Sequence, residues 1–586
     1  MRKLAIIIIL LLSPIYLLAE THYVSKSGSD EYPYTSWATA ADSIQKGINA
    51  ASYGDTVRVG AGVYHEYRVT ISSGVTLIGI GIDSSIIDAS FVHYDTMGAV
   101  IDGKDSTSIE GFQIIGNRYS QGGQLIGIMD PYGIPMRFIK GNRFSACEEG
   151  IFIRKCPLII NNLIDSCHLG ISASTQQTSL IQNNTITLCG EGIMGWVSPR
   201  YPRIVKNIIY NVGRAISITL NDSIVMYNNL IYDVTNINSV NIGYALFTKK
   251  QAVTNNYISG NKNYWVLGCS ANSDVRNNIL TGGNTGILGY GSGVVVTVGY
   301  NDLWDNFQNY GAGGGASIDT SLGGNIYSDP MLVGGDDYHL QYGSPCINTG
   351  DPNIKDPDSS RSDIGCYGGT YGETYTYLDY PPKPPDSLSA VSESTVTILS
   401  WKPNTESDLS HYLVYKDTIA GFIPDTFKIV GNIPKDSSIF RDYDFVLGKT
   451  YYYRVSAWDL TGHQSEYSDV LEVLATSVDE YTEEENRPPM YQLSQNYPNP
   501  FNSETVIWYY LPDVGYQPAK VEITIYNLLG KRVKSLVNGR EYPGEHKIRW
   551  DGKDDSGKEV ASGIYFYRFK VSGLELVKPK KMVLLR

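Results

Sequence analysis

An asparagine followed by an aliphatic residue, or by one aliphatic step beyond it, recurs down the middle of this chain at Asn142, Asn162, Asn184, Asn207, Asn229, Asn256, Asn278 and Asn301. The successive spacings are 20, 22, 23, 22, 27, 22 and 23 residues. A period this short cannot bury a core by itself. It describes one coil of a stacked solenoid, whose units bury apolar surface only against their neighbours. Around each asparagine stand short runs of β-formers, as in Leu158-Ile159-Ile160-Asn161-Asn162-Leu163-Ile164. Two strands meet there at a tight corner, and asparagine tolerates the left-handed conformation that such a corner requires, while stacked amides can bond from coil to coil. The spacing therefore predicts a tower whose asparagines occupy the left-handed corners.

This combination resembles the right-handed parallel β-helix of the pectate-lyase-like superfamily, with its asparagine ladder. Ser43-Ile44-Gln45-Lys46-Gly47-Ile48-Asn49-Ala50 reads as a short amphipathic helix capping the open end. Gly54 to Val59, Gly62 to Glu66 and Val75 to Gly81 are similar to opening coils of secreted β-helix proteins, and Ser344 to Pro352 with Asp363 to Gly368 is similar to a closing motif. The resemblance covers residues 21–372. It implies a fold and leaves the reaction open, because the superfamily holds lyases, hydrolases, esterases and proteins without catalysis.

The first 19 residues carry Arg2 and Lys3, then apolar residues from Leu4 to Leu12, a Ser13-Pro14 break and a second apolar run to Ala19. This pattern reads as a secretory signal peptide, and no later stretch approaches the roughly 20 apolar residues of a membrane span. The expected location is outside the cell or on its outer surface, reached through the periplasm. A formal charge of −13 argues against a nucleic-acid partner. Seven cysteines leave at least one unpaired. Cys147, Cys167 and Cys189 each precede Gly-Ile by the same distance and so share one column of the tower. Coils about 4.8 Å apart strain a disulfide, and the column reads as core packing. A bond between Cys346 and Cys366 stays open at this stage.

Beyond Tyr380 the chain changes character through Pro381-Pro382-Lys383-Pro384-Pro385, a stiff linker. Residues 381–475 alternate as half-buried strands and resemble a fibronectin type III sandwich, which implies Trp401 as the core tryptophan and Tyr451 as the tyrosine corner. After an acidic linker, residues 491–586 resemble the C-terminal sorting domain of type IX secretion cargo, itself similar to the Ig-like module of flagellar hook-capping proteins. The carrying segments are Leu493 to Asn502, Val521 to Gly530, Trp550-Asp551-Gly552, Ala561 to Tyr567 and Lys581 to Leu585. That resemblance implies the type IX secretion machinery as a partner. Asp551, Asp554 and Asp555 read as a solvated turn, since one short loop supplies few of the about six to eight oxygens that calcium takes. The fold class expected is thus all-β: a right-handed parallel β-helix followed by two small β-sandwich domains.

The tower lacks several of the superfamily's catalytic signatures. No Gly-His-Gly and no paired Asp-Asp of the polygalacturonase kind occurs, and Gly62-Val63-Tyr64-His65-Glu66 resembles one pectin methylesterase motif without its companions. A lyase also needs a cation for the enediolate and a Lys or Arg base, and no cluster of aspartates on adjacent coils offers a calcium site. The cofactor is left unspecified and no metal ligand is assigned.

Period-2 alternation after each Gly-Ile corner turns Ile151, Ile153, Ile171, Ala173, Ile216 and Ile218 inward, and Phe152, Arg154, Met194, Trp196, Ser217 and Thr219 outward. With Tyr264, Trp265, Tyr290, Lys249 and Lys250 these form a strip of rings and cations suited to an extracellular polysaccharide. Phe152, Arg154, Trp196, Lys249 and Tyr290 are the candidate substrate-binding residues. The same counting places Glu149, Leu169, Glu191 and Arg214 in one column, with Glu148 and His168 in the next. Glu149 and Glu191 then stand two coils, about 9.6 Å, apart, at the outer end of the range of about 6.5–9.5 Å for inverting glycosidases. Arg214 would keep Glu191 ionised as the base, and Glu148 would help Glu149 keep its proton as the acid. Glu149, Glu191, Arg214 and His168 are the candidate catalytic residues of a lyase or glycoside hydrolase. The alternative is a surface adhesion or glycan-binding protein without catalysis.

Overall fold

The computed structural model describes residues 19–92, 98–117, 125–131, 133–173, 179–196, 202–219, 224–235, 240–242, 251–392, 396–475, 492–511, 518–571 and 579–585. Three parallel sheets of 13, 11 and 10 strands wind up one tower. A complete coil contributes one strand to each sheet, and successive strands pair in register, for example Ile139 with Ile159 and Ile159 with Ile181. The paired residues stack into continuous inward columns: Phe144, Ile164, Ile186 and Ile209 along one sheet, and Ile151, Ile171, Ile193 and Ile216 along another, all buried. At the base lies the helix Ile44–Ala50, with Ile44 and Ile48 on its buried face and Ser43 accepting from the Lys46 amide at 3.4 Å. Glu66 completes that cap, taking the amides of Ile44 at 2.7 Å and Gln45 at 3.0 Å. The carboxylate of the Gly62–Glu66 motif thus holds the N-terminus of a helix.

The asparagine column is a ladder, but its residues are not the left-handed ones. Asn162 Oδ1 accepts from both the backbone amide and Nδ2 of Asn142, at 3.1 and 3.3 Å, and the same pair of bonds repeats through Asn184, Asn207, Asn229, Asn256, Asn278 and Asn301 to Asn325. The positive φ falls one residue earlier, at Gly141, Asn161, Asn183, Lys206, Asn228, Asn255, Asn277 and Tyr300. The expectation that the ladder asparagines themselves turn the corner is therefore corrected. The turn is made by the preceding residue, which frees the ladder side chain to lie inside the coil.

The corner column has its own use. Its side chains point away from the coil and hold the segment expected to close the far end. Asn228 Nδ2 donates to Cys366 O at 2.8 Å and Gly368 O at 2.6 Å, Asn255 Nδ2 to Asp363 O at 2.8 Å, and Asn277 Oδ1 accepts from Asp351 N at 2.7 Å. Residues 344–372 thus run back along the side of the tower. The cysteines Cys147, Cys167 and Cys189 are buried free thiols, as are Cys346 and Cys366, so no disulfide links the last two.

Burial of carboxyls in this region makes stability depend on pH. Asp302 is fully buried, with Cys346 Sγ 3.4 Å from Oδ2, and its burial pushes the carboxyl up to about 7; burial likewise raises Asp363 to about 6. A carboxyl raised on folding holds its proton in the folded state where the unfolded chain has lost it. Its stabilisation is full below about pH 4 and is lost as pH rises through the folded value. Asp55 and Asp351 are lowered and act the opposite way, but only below about pH 4. The thermal midpoint of the tower should therefore fall between pH 5 and 7.5 by an amount equivalent to ~1–3 kcal/mol. Asp302→Asn should flatten that fall, and an unchanged slope would show that Asp302 titrates normally.

Two antiparallel assemblies follow the tower. The first pairs a sheet of Asp386–Ser392, Thr397–Lys402 and Ile439–Asp442 with one of Ile429–Pro434, Leu409–Asp417, Thr450–Asp459 and Leu471–Leu474. Trp401 and Tyr412 meet edge-on in its core at 5.2 Å, and the Tyr451 hydroxyl accepts the Val446 amide at 3.0 Å. The tower and this assembly form one compact unit, 1–477, and 478–586 forms another. In the second unit, sheets of three and four strands enclose Trp550, Phe501 and Tyr567. Two of its turn aspartates are engaged by the turn itself, Asp554 Oδ1 accepting the amides of Ser556 and Lys558 and Asp551 Oδ1 that of Lys553, while Asp555 Oδ1 accepts the Ser535 amide of a neighbouring strand. Among the described residues no helix is long and apolar enough to cross a membrane.

Candidate active site on the second sheet

The strands Glu149–Ile153, Leu169–Ala173, Glu191–Trp196 and Arg214–Thr219 lie side by side in the 11-stranded sheet. Their register pairs Glu149 with Leu169, Leu169 with Glu191 and Glu191 with Arg214, which is the column that the repeat arithmetic requires. Each column residue begins its strand just after the corner. A polar side chain there sits beside the apolar ladder of Ile151, Ile171, Ile193 and Ile216 and is partly desolvated by it.

That desolvation shapes the chemistry. Glu149 Oε2 and Glu191 Oε2 are both shut off from solvent and have no hydrogen-bond partner among the described residues. Burial pushes the Glu149 carboxyl above the ordinary carboxylate range. The nearby Ser172 hydroxyl opposes the shift, the Glu148 charge adds to it and His168 reduces it. Ser172 Oγ is itself buried and makes no well-formed hydrogen bond, so its influence on Glu149 is one of proximity rather than of an aligned bond. On the other side Glu191 Oε1 faces Arg214 Nη1 at 3.7 Å, and Arg214 Nη1 is 3.4 Å from Ser217 Oγ. In the neighbouring column His168 Nδ1 meets Glu148 Oε1 at 2.8 Å. One carboxyl is thus biased toward its protonated form, while the other has a cation beside it.

The outward column of the same strands begins with Phe152, which pairs in register with Met129 and Ser172. Arg154 follows, its guanidinium 5.1 Å from the Phe152 ring centre and its Nη1 donating to Pro131 O at 2.9 Å. Asp130 fixes this corner by accepting the amides of Arg154 at 2.8 Å and Lys155 at 2.6 Å. Ser172 and Asp130 carry no motif, and only the register and the loop closure reveal them. Asp102 lies in the same outward column through Met129, with Oδ1 buried and without a partner and its carboxyl raised by burial.

The rest of the expected strip divides. Trp196 pairs in register with Thr219, but its side chain lies outside what the structure describes, as do Lys249 and Lys250 entirely. Tyr290 is 54% exposed at the end of the strand Thr285–Tyr290. It stands six coils from Arg154 by the strand order, about 29 Å away, so it does not join the carboxyl pair. Trp265 is different: it pairs in register with Thr285, two residues before Leu267, which continues the Ile216–Val240 column, and its Nε1 is buried without a partner among the described residues.

This fold and face define a parallel β-helix protein with a polar, partly desolvated column on one sheet. Residues 48–266 match the family described as periplasmic copper-binding protein (NosD), a stretch that lies within the tower and spans less than half of the chain. Residues 515–575 match the FlgD Ig-like domain. No curated protein matches the sequence. Among solved structures the chain is similar to the third fibronectin III domain of human KIAA0343 protein, at 14% identity, covering 20% of this chain and 99% of that one with a TM-score of 0.15. It is also similar to the FN1–FN3 domains of chicken CNTN1, at 16% identity, covering 35% and 67% with a TM-score of 0.14. Likenesses at these TM-scores carry no argument about this chain.

Proposed function

We propose that this protein acts outside the cytoplasm as a glycoside hydrolase on a polysaccharide laid along the second sheet. Glu149 serves as general acid and Glu191, beside Arg214, as general base. The observation that carries the reading is the pairing of two glutamates two coils apart in one column, each with a buried carboxylate oxygen that no described residue satisfies. In an inverting hydrolysis the acid gives its proton to the glycosidic oxygen. The base takes a proton from the water that attacks the anomeric carbon from the opposite face. Phe152 offers an apolar ring to a sugar face, and Arg154 a cation to a carboxylate or hydroxyl. His168, paired with Glu148, tempers the rise at Glu149.

A second reading, surface adhesion or glycan binding without turnover, draws on Leu169. Its apolar side chain, 6% exposed, belongs to the coil between the two carboxyls, where an attacking water has to stand. A panel of acidic and neutral polysaccharides presented to the full chain separates the two. The hydrolase releases new reducing ends without unsaturated uronides, whereas the adhesin retains a glycan and releases none.

For location, the support is the signal-like first 19 residues, the match to a family whose description is periplasmic, and the C-terminal resemblance to type IX cargo. The copper in that description is said of that family. Removal of residues 491–586, which lie within the separate compact unit 478–586, is expected to abolish appearance of the protein outside the cell and to leave the truncated chain in the periplasm. Normal extracellular levels of the truncated chain would show that this unit is not a sorting signal.

A further inference from the structure

Asp379 lies on the segment that leaves the tower, just after Leu378, whose carbonyl accepts the Tyr342 amide at 2.9 Å. It reaches the hairpin that follows the strand Thr450–Asp459. There His463 Nδ1 is 3.2 Å from Asp459 Oδ2 and 3.6 Å from Asp379 Oδ2. One ligand atom from each of the three residues lies within 4.8 Å of the other two. Asp459 Oδ1 accepts the amides of Thr461, Gly462 and His463 at 2.9, 2.7 and 2.8 Å, which fixes the carboxylate and leaves Oδ2 turned to the imidazole.

Two further observations call for a cation here. Asp379 Oδ1 is shut off from solvent and has no partner among the described residues. Asp408, 8% exposed, precedes Leu409, which pairs in register with Asp459, and the like charges of Asp459, Asp379 and Glu406 bear on it. A buried carboxylate crowded by like charges is costly unless a cation or a proton relieves it.

We propose that Asp379, Asp459 and His463, with Asp408 beside them, form a binding site for a divalent cation of the zinc class that pins the segment leaving the tower to the sandwich hairpin. The imidazole nitrogen selects the class, since calcium takes oxygen ligands whereas zinc accepts imidazole and carboxylate together. Three protein ligands leave room for water in the remaining position. The site lies outside the carboxyl column, so it stands or falls independently of the hydrolase reading.

The test uses the full chain stripped with chelator and titrated with Zn²⁺ against a chromophoric competitor. One equivalent should bind and raise the thermal midpoint, because a ligand of the folded state stabilises it. Asp379→Asn and His463→Gln, at partly exposed side chains, should unfold like the parent chain in chelator yet bind Zn²⁺ about tenfold or more weakly, since even outer-shell partners of a metal site cost that much. Equal Zn²⁺ uptake by the parent and both variants, or no uptake by the parent, would overturn the site. Ca²⁺ bound equally by the parent and His463→Gln would overturn the assignment to the zinc class.

Discussion

Asn184→Leu is expected to destabilise the tower by about 4 kcal/mol or more, well beyond the loss of one side chain's packing. Asn184 is fully buried, and its amide serves five partners. Oδ1 accepts from the backbone amide and Nδ2 of Asn162, both at 3.0 Å; Nδ2 donates to Ile159 O at 2.9 Å, Gln182 O at 3.1 Å and Asn207 Oδ1 at 3.0 Å. Leucine fills the space but leaves the Asn162 backbone amide without its acceptor and takes one bond each from Asn162 Nδ2, Ile159 O, Gln182 O and Asn207 Oδ1. An orphaned buried donor costs about 1–3 kcal/mol, and each lost second bond adds ~0.5–1.5 kcal/mol. The neighbouring residue provides the control. Asn183 has φ +54°, so Asn183→Gly should lie within about 0.5 kcal/mol of the parent and Asn183→Val should cost ~1–2 kcal/mol through backbone strain. Denaturant melts of the three variants decide the matter. A ladder variant no worse than Asn183→Val would show that the coil-to-coil amides add little.

That contrast also marks where the sequence stops being legible. The period and the inward columns follow from spacing, because in a parallel stack every residue pairs with its equivalent one coil away, and a count from Ile151 to Ile171 or Ile193 carries whole columns with it. The column of Glu149, Leu169, Glu191 and Arg214 was readable for the same reason. The doublets Asn161-Asn162, Asn183-Asn184, Asn228-Asn229, Asn255-Asn256 and Asn277-Asn278 hide which member turns the chain, since asparagine suits both positions. Gly141, Lys206 and Tyr300 break the doublet and point to the first member. What no count reaches is contact across long separations. The docking of residues 344–372 on Asn228, Asn255 and Asn277 joins positions 74 to 140 apart. The clasp of Asp130 on Arg154 and Lys155, and the burial of Ser172, likewise depend on where loops lie.

The largest functional effect is expected at the carboxyl pair. With a polysaccharide that the parent chain cleaves, Glu149→Gln and Glu191→Gln should each lower kcat by about 10²–10⁴-fold, the usual contribution of a positioned general acid or base. The glutamine amide preserves the shape of the site, so the Kd for the glycan should stay within about threefold, which is under 1 kcal/mol. Because burial holds the Glu149 carboxyl above the ordinary range, the alkaline limb of the pH–rate profile should belong to it and disappear in Glu149→Gln. Arg214→Met should also lower kcat, since it removes the cation that stands 3.7 Å from Glu191 Oε1. Phe152→Ala should act on binding instead, raising KM with kcat little changed.

The most direct measurement is reducing-end release by the parent chain and by Glu149→Gln and Glu191→Gln on one glycan, with binding recorded on the same samples. The account predicts turnover by the parent, loss of at least about a hundredfold in each variant, and binding retained in all three. Two variants that cleave as fast as the parent would contradict it.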